Sequence, residues 1–204
     1  MRYSKKIPST DKELSTKLIS EGWIKIKEPS NLGIAILLSI PFILINGVIS
    51  MAIAFYLYPP LKEFFNNKDG FSITLTVNLF TLMYVGIIFM FMIIHEFLHA
   101  CFIPNALKSD KTYWGINAFC GFVFTIEMIK KGRFLIISIM PFILLSVILP
   151  LILNILGGLN GFTIFLCLIN AMGSSVDCLN MCLVAIQVPN GSYIVNNGFE
   201  TYFK

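Results

Sequence analysis

Charged residues are scarce in this sequence: Asp, Glu, Lys and Arg together make up 13% of its 204 residues, whereas 56% are hydrophobic. With a mean hydropathy of +0.80, this composition is typical of an integral membrane protein and excludes a soluble domain. The sequence also has no basic patch interleaved with aromatic residues, so nucleic acid is not an expected partner. The expected surroundings of most of the surface are instead a lipid bilayer.

Cysteine is too sparse to support a disulfide framework. The five cysteines are odd in number, and they lie in or near apolar stretches or on the side that we assign to the cytoplasm. Disulfides are rare in that compartment, and an odd count leaves one thiol unpaired. We therefore expect free thiols at Cys101, Cys120, Cys167, Cys178 and Cys182.

Four long apolar stretches predict the architecture. A helix crosses a bilayer in about 20 apolar residues, and the stretches that reach this length are residues 33–58, 73–103, 134–156 and 162–188. They predict a mainly α, polytopic membrane protein with four transmembrane helices in one membrane-embedded domain, residues 33–188. A segment of residues 1–32 precedes this domain, and a tail of residues 189–204 follows it.

The distribution of positive charge predicts the orientation. Seven Lys or Arg residues lie in segment 1–32 and five in the connection 104–133, whereas the loop after the first span has only Lys62 and Lys68. Basic residues accumulate on the cytoplasmic side of bacterial membranes. We therefore expect a multi-pass protein of the bacterial cell membrane with both termini and the connection 104–133 in the cytoplasm. The first apolar run also begins too late for a cleaved signal peptide.

The segment before the first span predicts a short helix–strand unit. Thr10-x-x-Glu13 matches a capping box that opens a helix, and Gly22 ends that helix. Residues 23–27 then alternate apolar and polar side chains in the manner of a strand. The unit is either a cytoplasmic lip on the membrane domain or an anchor at the membrane interface.

A second alternating run lies in the connection between spans two and three. Residues 122–128 place Phe122, Phe124 and two further apolar side chains on one side, and residues 113–116 form a matching partner. This pattern predicts a small β-hairpin. An exposed edge of the hairpin could bind an extended peptide by strand addition. The other interpretation is an aromatic loop at the membrane interface.

Histidine is scarce: the chain has two, and both belong to the pentapeptide His95-Glu96-Phe97-Leu98-His99. On a helix, residues four apart point from one face, so the two imidazoles could hold one Zn²⁺ ion. The run before them, residues 80–94, has no charge. Ionisable groups at membrane depth are costly and usually functional, which favours metal ligands over two buried structural histidines.

The remaining ligand is predicted by elimination. A catalytic zinc normally takes three protein ligands and keeps one open position, and with no third histidine the ligand must be Asp, Glu or Cys. Apart from Glu96, Asp177 is the only acidic residue inside a predicted span, and it continues a polar stripe formed by Asn170 and Ser174. The alternatives are a structural polar contact of Asp177 to another span, or a cysteine ligand from the same helix.

Glu96 is predicted to act on water and not on the metal. A carboxylate beside the first histidine can accept a proton as water attacks a carbonyl, and it can then deliver that proton to the leaving amine. The pentapeptide therefore predicts amide hydrolysis with Zn²⁺ as the cofactor.

Several short motifs run along most of the chain: Gly22-Trp23, Glu28-Pro29, His95-Glu96-x-x-His99-Ala100, Trp114-Gly115, Pro141-Phe142, Asn170-x-x-x-Ser174-x-x-Asp177, Val188-Pro189-Asn190-Gly191 and Gly198-Phe199-Glu200-Thr201-Tyr202. In these motifs the chain resembles a bacterial membrane family of zincin peptidases of unknown function, distantly similar to the site-two-protease class of intramembrane metalloproteases. The resemblance implies zinc, His95, His99 and a carboxylate (Asp177) as ligands, and Glu96 as base. Site-two proteases place the carboxylate in an Asn-Pro-Asp-Gly-like or Leu-Asp-Gly context, whereas here it follows Val176 and precedes Cys178.

Two functions are consistent with the sequence. The first is a zinc-dependent, membrane-embedded endopeptidase that hydrolyses a peptide bond of a membrane-protein or peptide substrate, in or next to the membrane, near the cytoplasmic face. The second is a non-hydrolytic membrane scaffold or partner-binding protein with a structural metal site, which would not need Glu96. A transporter is disfavoured because the spans hold one acidic stripe. Histidines four apart on one helix cannot bind a haem from opposite faces.

Overall fold

The computed structural model describes residues 1–5, 8–66, 77–116 and 121–204, and this part of the chain is mostly helical. Its helices are α1 (Lys12–Ser20), α2 (Leu32–Leu38), α3 (Ile40–Leu57), α4 (Pro59–Asn66), α5 (Leu79–Phe102), α6 (Lys131–Ile155) and α7 (Gly161–Gln187). Its strands are β1 (Arg2–Tyr3), β2 (Ile24–Lys25), β3 (Thr112–Ile116), β4 (Gly121–Thr125), β5 (Ile129–Lys130), β6 (Tyr193–Asn197) and β7 (Glu200–Phe203).

Within the described residues, the four helices α3, α5, α6 and α7 are long and apolar enough to cross a membrane, which is compatible with a multi-pass membrane protein. Their outward faces are apolar, since Leu44, Val48 and Leu82 are all largely exposed. Side chains of this kind are solvated by lipid when a helix spans a bilayer. The predicted fold class, mainly α with four apolar spans and small sheets, is confirmed.

Polar side chains of the spans are turned inward and join the helices. The Asn46 side-chain N–H of α3 donates to the carbonyl of Ala171 in α7 at 3.0 Å, and the Ser146 hydroxyl of α6 donates to the carbonyl of Cys167 at 2.9 Å. Such bonds hold transmembrane helices together, because the hydrophobic effect does not drive helices together within lipid. As a result, α3 and α6 both pack against α7.

The first predicted span, residues 33–58, is divided in the structure. Helix α2 ends at Leu38 and α3 starts at Ile40, because Pro41 has no N–H to continue the hydrogen bonds of α2. Helix α5 begins after Asn78, whose side chain caps its first turn. Residues 73–76, which the sequence assigns to the start of the second predicted span, lie outside the described residues.

Helices α6 and α7 each contain one irregular turn. Helix α6 passes Pro141 and Pro150 through a π-helical turn, Ile143–Ile148, between the two prolines. Such turns occur as local widenings of α-helices and often lie near functional sites. Helix α7 is interrupted at Ser174, between the segments Gly161–Gly173 and Ser175–Gln187. The second segment carries Asp177 in its first turn.

The predicted capping box of the N-terminal helix is wrong in its capping residue, Thr10. The side chain that caps α1 is Asp11, which accepts from the backbone N–H groups of Glu13 and Leu14. The Thr10 hydroxyl instead accepts a hydrogen bond from the backbone N–H of Phe199. The helix and strand themselves are present as predicted, with Gly22 in a left-handed conformation (φ 83°) between them.

The predicted β-hairpin between spans two and three is present as β3 and β4, which pair antiparallel with Trp114 opposite Val123. Strand β1 adds to β3 in parallel, giving the order β1-β3-β4. Residues 117–120, between the two hairpin strands, lie outside the described residues. The strand ends at Thr125, before the end of the alternating run, and the chain then enters the second sheet as β5.

The second sheet, here called the terminal sheet, has the order β2-β7-β6-β5 and joins the two ends of the chain. Ile24 of β2 lies opposite Phe203 of β7. The Glu28 carboxylate accepts from both the backbone N–H and the hydroxyl of Thr201. A small core under the sheet contains Trp23 and Tyr202. The segments 1–32 and 189–204 therefore fold against each other.

Candidate metal centre

The two histidines lie in the last two turns of α5, and both are buried. Their ring centroids are 5.1 Å apart and their planes make an angle of 78°. Because α5 is helical through both residues, His95 and His99 point from one face, as their spacing predicts.

Asp177 approaches both imidazoles from α7. Its Oδ2 lies 3.3 Å from Nε2 of His95 and 3.6 Å from Nε2 of His99. One ligand atom from each of the three residues lies within 4.8 Å of the others, a spacing that could hold a metal ion. The structure therefore brings together the three residues that the sequence predicts as ligands, although they come from helices far apart in the chain.

Each histidine is oriented by a second hydrogen bond through Nδ1. Nδ1 of His95 lies 2.8 Å from the side-chain oxygen of Asn170 in α7. Nδ1 of His99 lies 2.8 Å from the backbone carbonyl of Ile137 in α6. Because both partners bond as oxygen acceptors, each Nδ1 carries the proton and each Nε2 presents a lone pair to the centre. Histidine ligands of metals usually have such a partner on their other nitrogen.

Asn170 is itself held by a buried network. Its side-chain N–H group donates to the hydroxyl of Ser146 at 2.8 Å and to the carbonyl of Pro141 at 3.2 Å. The Ser174 hydroxyl, one turn later, donates to the backbone carbonyl of Asn170. These bonds fix which way the amide faces, so its oxygen is the atom left for His95.

The chemistry of these three ligand atoms fits a divalent cation. Two Nε2 lone pairs and one carboxylate oxygen are all acceptors, and acceptors that converge without a donor between them repel one another. A cation in the middle removes that repulsion, and two neutral imidazoles with one carboxylate are among the sets that zinc takes in catalytic sites. His95, His99 and Asp177 would hold it, with no other described protein ligand in this group.

Glu96 lies beside the centre without joining its ligand group. It lines a cavity of about 160 Å³ together with His99 and Asp177. On its outer side it packs against β4: a Cβ added to Gly121 would lie 3.2 Å from Cγ of Glu96. Gly121, the first residue of β4, therefore limits where the Glu96 side chain lies.

The cysteines near the centre do not reach it. The thiol of Cys178 accepts from the Asn46 side chain at 3.4 Å, and Cys101 is exposed. Cys120 lies outside the described residues. The alternative contact of Asp177 with an Asn or Ser of another span is also not formed among the described residues, since the partners of its carboxylate are the two histidines.

Sequence reasoning placed Asn170 in a polar stripe but gave it no role, and it missed the roles of Ile137 and Gly121 altogether. The signal for Asn170 was available: it precedes Asp177 by two helical turns on the same face of α7. A backbone carbonyl such as that of Ile137 leaves no trace in residue identity, so no sequence pattern could have indicated it.

Comparisons with known proteins agree with the character of the centre. No curated protein and no solved structure matches the chain. A family model does match, over residues 88–193, which is more than half of the chain and includes both histidines, Glu96 and Asp177. That family is described as "Putative zincin peptidase", a description that suggests a metallopeptidase. The chain belongs to this zincin peptidase family.

Proposed function

We propose that this protein is a zinc-dependent, membrane-embedded endopeptidase that hydrolyses a peptide bond of a membrane-protein or peptide substrate near the cytoplasmic face. The observation that carries the proposal is the convergence of three acceptor atoms, from His95, His99 and Asp177, beside a cavity that Glu96 lines together with His99 and Asp177. A metal held for structure alone needs the first three residues. Hydrolysis also needs a general base, and Glu96 is a half-buried carboxylate on the same cavity.

Zinc, when bound, supplies Lewis acidity toward water and toward a substrate carbonyl. The residues of the chain account for the rest of the reaction. Glu96 accepts a proton from the attacking water and passes it to the nitrogen of the departing amine, the role of a general base followed by a general acid. Gly121 of β4 packs against the Glu96 side chain, so β4 positions the base. Nδ1 of His95 donates to the Asn170 oxygen and Nδ1 of His99 donates to the Ile137 carbonyl, so each Nε2 is the atom that would hold the metal.

The location follows from charge and hydropathy together. Four apolar helices are compatible with several membrane crossings, and the basic residues are concentrated in segment 1–32 and in the connection 104–133. By the positive-inside rule, both termini and this connection lie in the cytoplasm of a bacterial cell. The hairpin β3–β4 and the terminal sheet would then lie on the cytoplasmic side, next to the metal centre. Strand addition of a substrate to the hairpin stays a prediction.

The function is tested by comparing the membrane proteomes of strains that carry the parent protein, Glu96→Gln, or no copy of the gene. We expect the same uncut membrane protein to accumulate in the deletion strain and in the Glu96→Gln strain. Glu63→Gln is the matched control, because Glu63 is an exposed glutamate of α4, and its strain should match the parent. A Glu96→Gln strain identical to the parent would favour the non-hydrolytic scaffold.

A further inference from the structure

The cavity at the metal centre adjoins a second cavity. The first, of about 160 Å³, contains Glu96, His99 and Asp177. The second, of about 210 Å³, reaches Glu28 and Phe199 at the terminal sheet. The two cavities share four lining residues: Phe124, Phe134, Asn180 and Asn196. They therefore adjoin each other, and the two together are here called the terminal groove, which extends from the metal centre toward the terminal sheet.

The shape of the terminal groove suits an extended chain. The groove consists of two small adjoining cavities, of about 160 and 210 Å³, and an α-helix with its side chains, about 10 Å across, needs more width than an extended chain. A few residues of extended peptide fit. The groove also has walls from outside the spans, namely Phe124 of β4 and Asn196 of β6. Its occupant is therefore expected to arrive from the side of the two sheets, and not laterally as a transmembrane helix.

Asn180 is a polar residue of the groove whose side chain has free bonding capacity among the described residues. It lies three residues after Asp177, so both side chains share one face of α7. It is half-buried and lines both cavities. Its side chain makes no hydrogen bond or ion pair with any residue that the structure describes. By contrast, the Glu28 carboxylate is already bonded to Thr201, and the Asn196 oxygen accepts from the same hydroxyl.

We infer that Asn180 binds the main chain of the substrate, and that the substrate is an extended segment flanking the membrane that lies in the terminal groove. A side-chain amide has a donor and an acceptor in one plane, and can therefore bond to the C=O and N–H groups of a peptide. No Lys or Arg lines the groove, so recognition here reads the backbone and not an acidic side chain. This inference rests on the proposed function, since it names the substrate class of the same site.

The inference is tested by binding, with no need for turnover. The probes are acetohydroxamate, which only chelates the metal, and two hydroxamates that carry a tetra-alanine tail on either side of the chelating group. We expect zinc-loaded Asn180→Ala protein to bind one tailed probe about 10-fold more weakly than the parent, as for two lost hydrogen bonds. Acetohydroxamate affinity should not change. Asn154→Ala is the control, because Asn154 is exposed at the far end of α6.

A tail with N-methylated amides separates a bonding role from a structural one. N-methylation removes the donors of the tail, so it should weaken binding to the parent and have a smaller effect on Asn180→Ala. Equal affinity of parent and Asn180→Ala for both tailed probes would overturn the inference. If acetohydroxamate fails to bind the parent, the zinc site itself is contradicted. A fluorescein-labelled tetra-alanine peptide then decides the groove alone by anisotropy: weaker binding to Asn180→Ala supports it, and equal or absent binding overturns it.

Discussion

The metal centre and the terminal sheet are both assembled from residues far apart in the chain, but they are completed in different ways. In the terminal sheet the carboxylates have donors as partners: Glu200 pairs with Lys25 at 2.6 Å, and Glu28 accepts from Thr201. In the metal centre, the lone pairs of His95 and His99 face a carboxylate that is also an acceptor.

This difference separates stability from function. The terminal sheet satisfies its own polar groups, as expected of a region that holds the two ends of the chain together. The metal centre is held from outside, through Asn170 and the Ile137 carbonyl, and its three ligand atoms converge on its interior. Acceptor atoms that converge in a buried site favour a bound cation, and this is the physical reason for placing the function there.

The largest effect is expected from removal of a ligand. His95→Ala, His99→Ala and Asp177→Ala should each lose most of the bound zinc, because a three-ligand site cannot spare one of its groups. Purified parent protein should carry about one zinc per chain by elemental analysis. Glu96→Gln should keep its zinc, as Glu96 is not a ligand. Full occupancy in Asp177→Ala would show that the third ligand is misassigned.

A smaller loss is expected from the partner of His95. Asn170→Ala removes the acceptor that orients this imidazole, and loss of such a partner typically lowers metal affinity about 10- to 100-fold. Asn46→Ala is the matched control: it also removes a buried amide that bonds α7, but one that does not contact a histidine. Competition with a zinc chelator measures both affinities. A similar loss in Asn46→Ala would mean that helix packing, and not the orientation of His95, controls the affinity.

Gly121→Ala probes the position of the base. The added Cβ would press on Cγ of Glu96 at 3.2 Å, and small displacements of a catalytic group are costly, so we expect turnover to fall about 10-fold. Zinc content should not change. Gly132→Ala is the control, because a Cβ at this position in the first turn of α6 meets nothing within 4 Å. Unchanged turnover in Gly121→Ala would show that β4 does not position Glu96.

The smallest effect concerns the terminal sheet and its response to pH. The hydrogen bond from Lys25, together with one from Tyr202, lowers the pKa of Glu200 from 4.5 to about 2. Since the pKa is lower in the folded protein, Glu200 stabilises the sheet above pH 4.5, and this contribution is lost as the pH falls toward 2. Fluorescence of Trp23, in a Trp114→Phe background, should report this loosening. Glu200→Gln should flatten the transition between these pH values, and an unchanged transition would contradict it.

Much of the metal centre could be predicted because its signals are local. The four-residue spacing of His95 and His99 has one meaning on a helix, and Asp177 is conspicuous as an acid in an apolar span. The capping of α1 could not be predicted in the same way. The Thr10 hydroxyl bonds to the backbone N–H of Phe199, a contact between opposite ends of the chain. The pairing of β2 with β7 is equally non-local. For the same reason, the contact of Glu96 with β4 depends on how a strand lies across a helix, which residue periodicity does not encode.

The central claim is that Glu96 performs proton transfer at a zinc centre built from α5 and α7. Its most direct test is cleavage of the membrane protein that accumulates in the deletion strain, by purified, zinc-loaded parent and Glu96→Gln proteins in detergent. General base catalysis contributes about 10²- to 10⁴-fold, so the account predicts a fall in turnover of at least about 100-fold with zinc content unchanged. Equal turnover by zinc-loaded Glu96→Gln would contradict it.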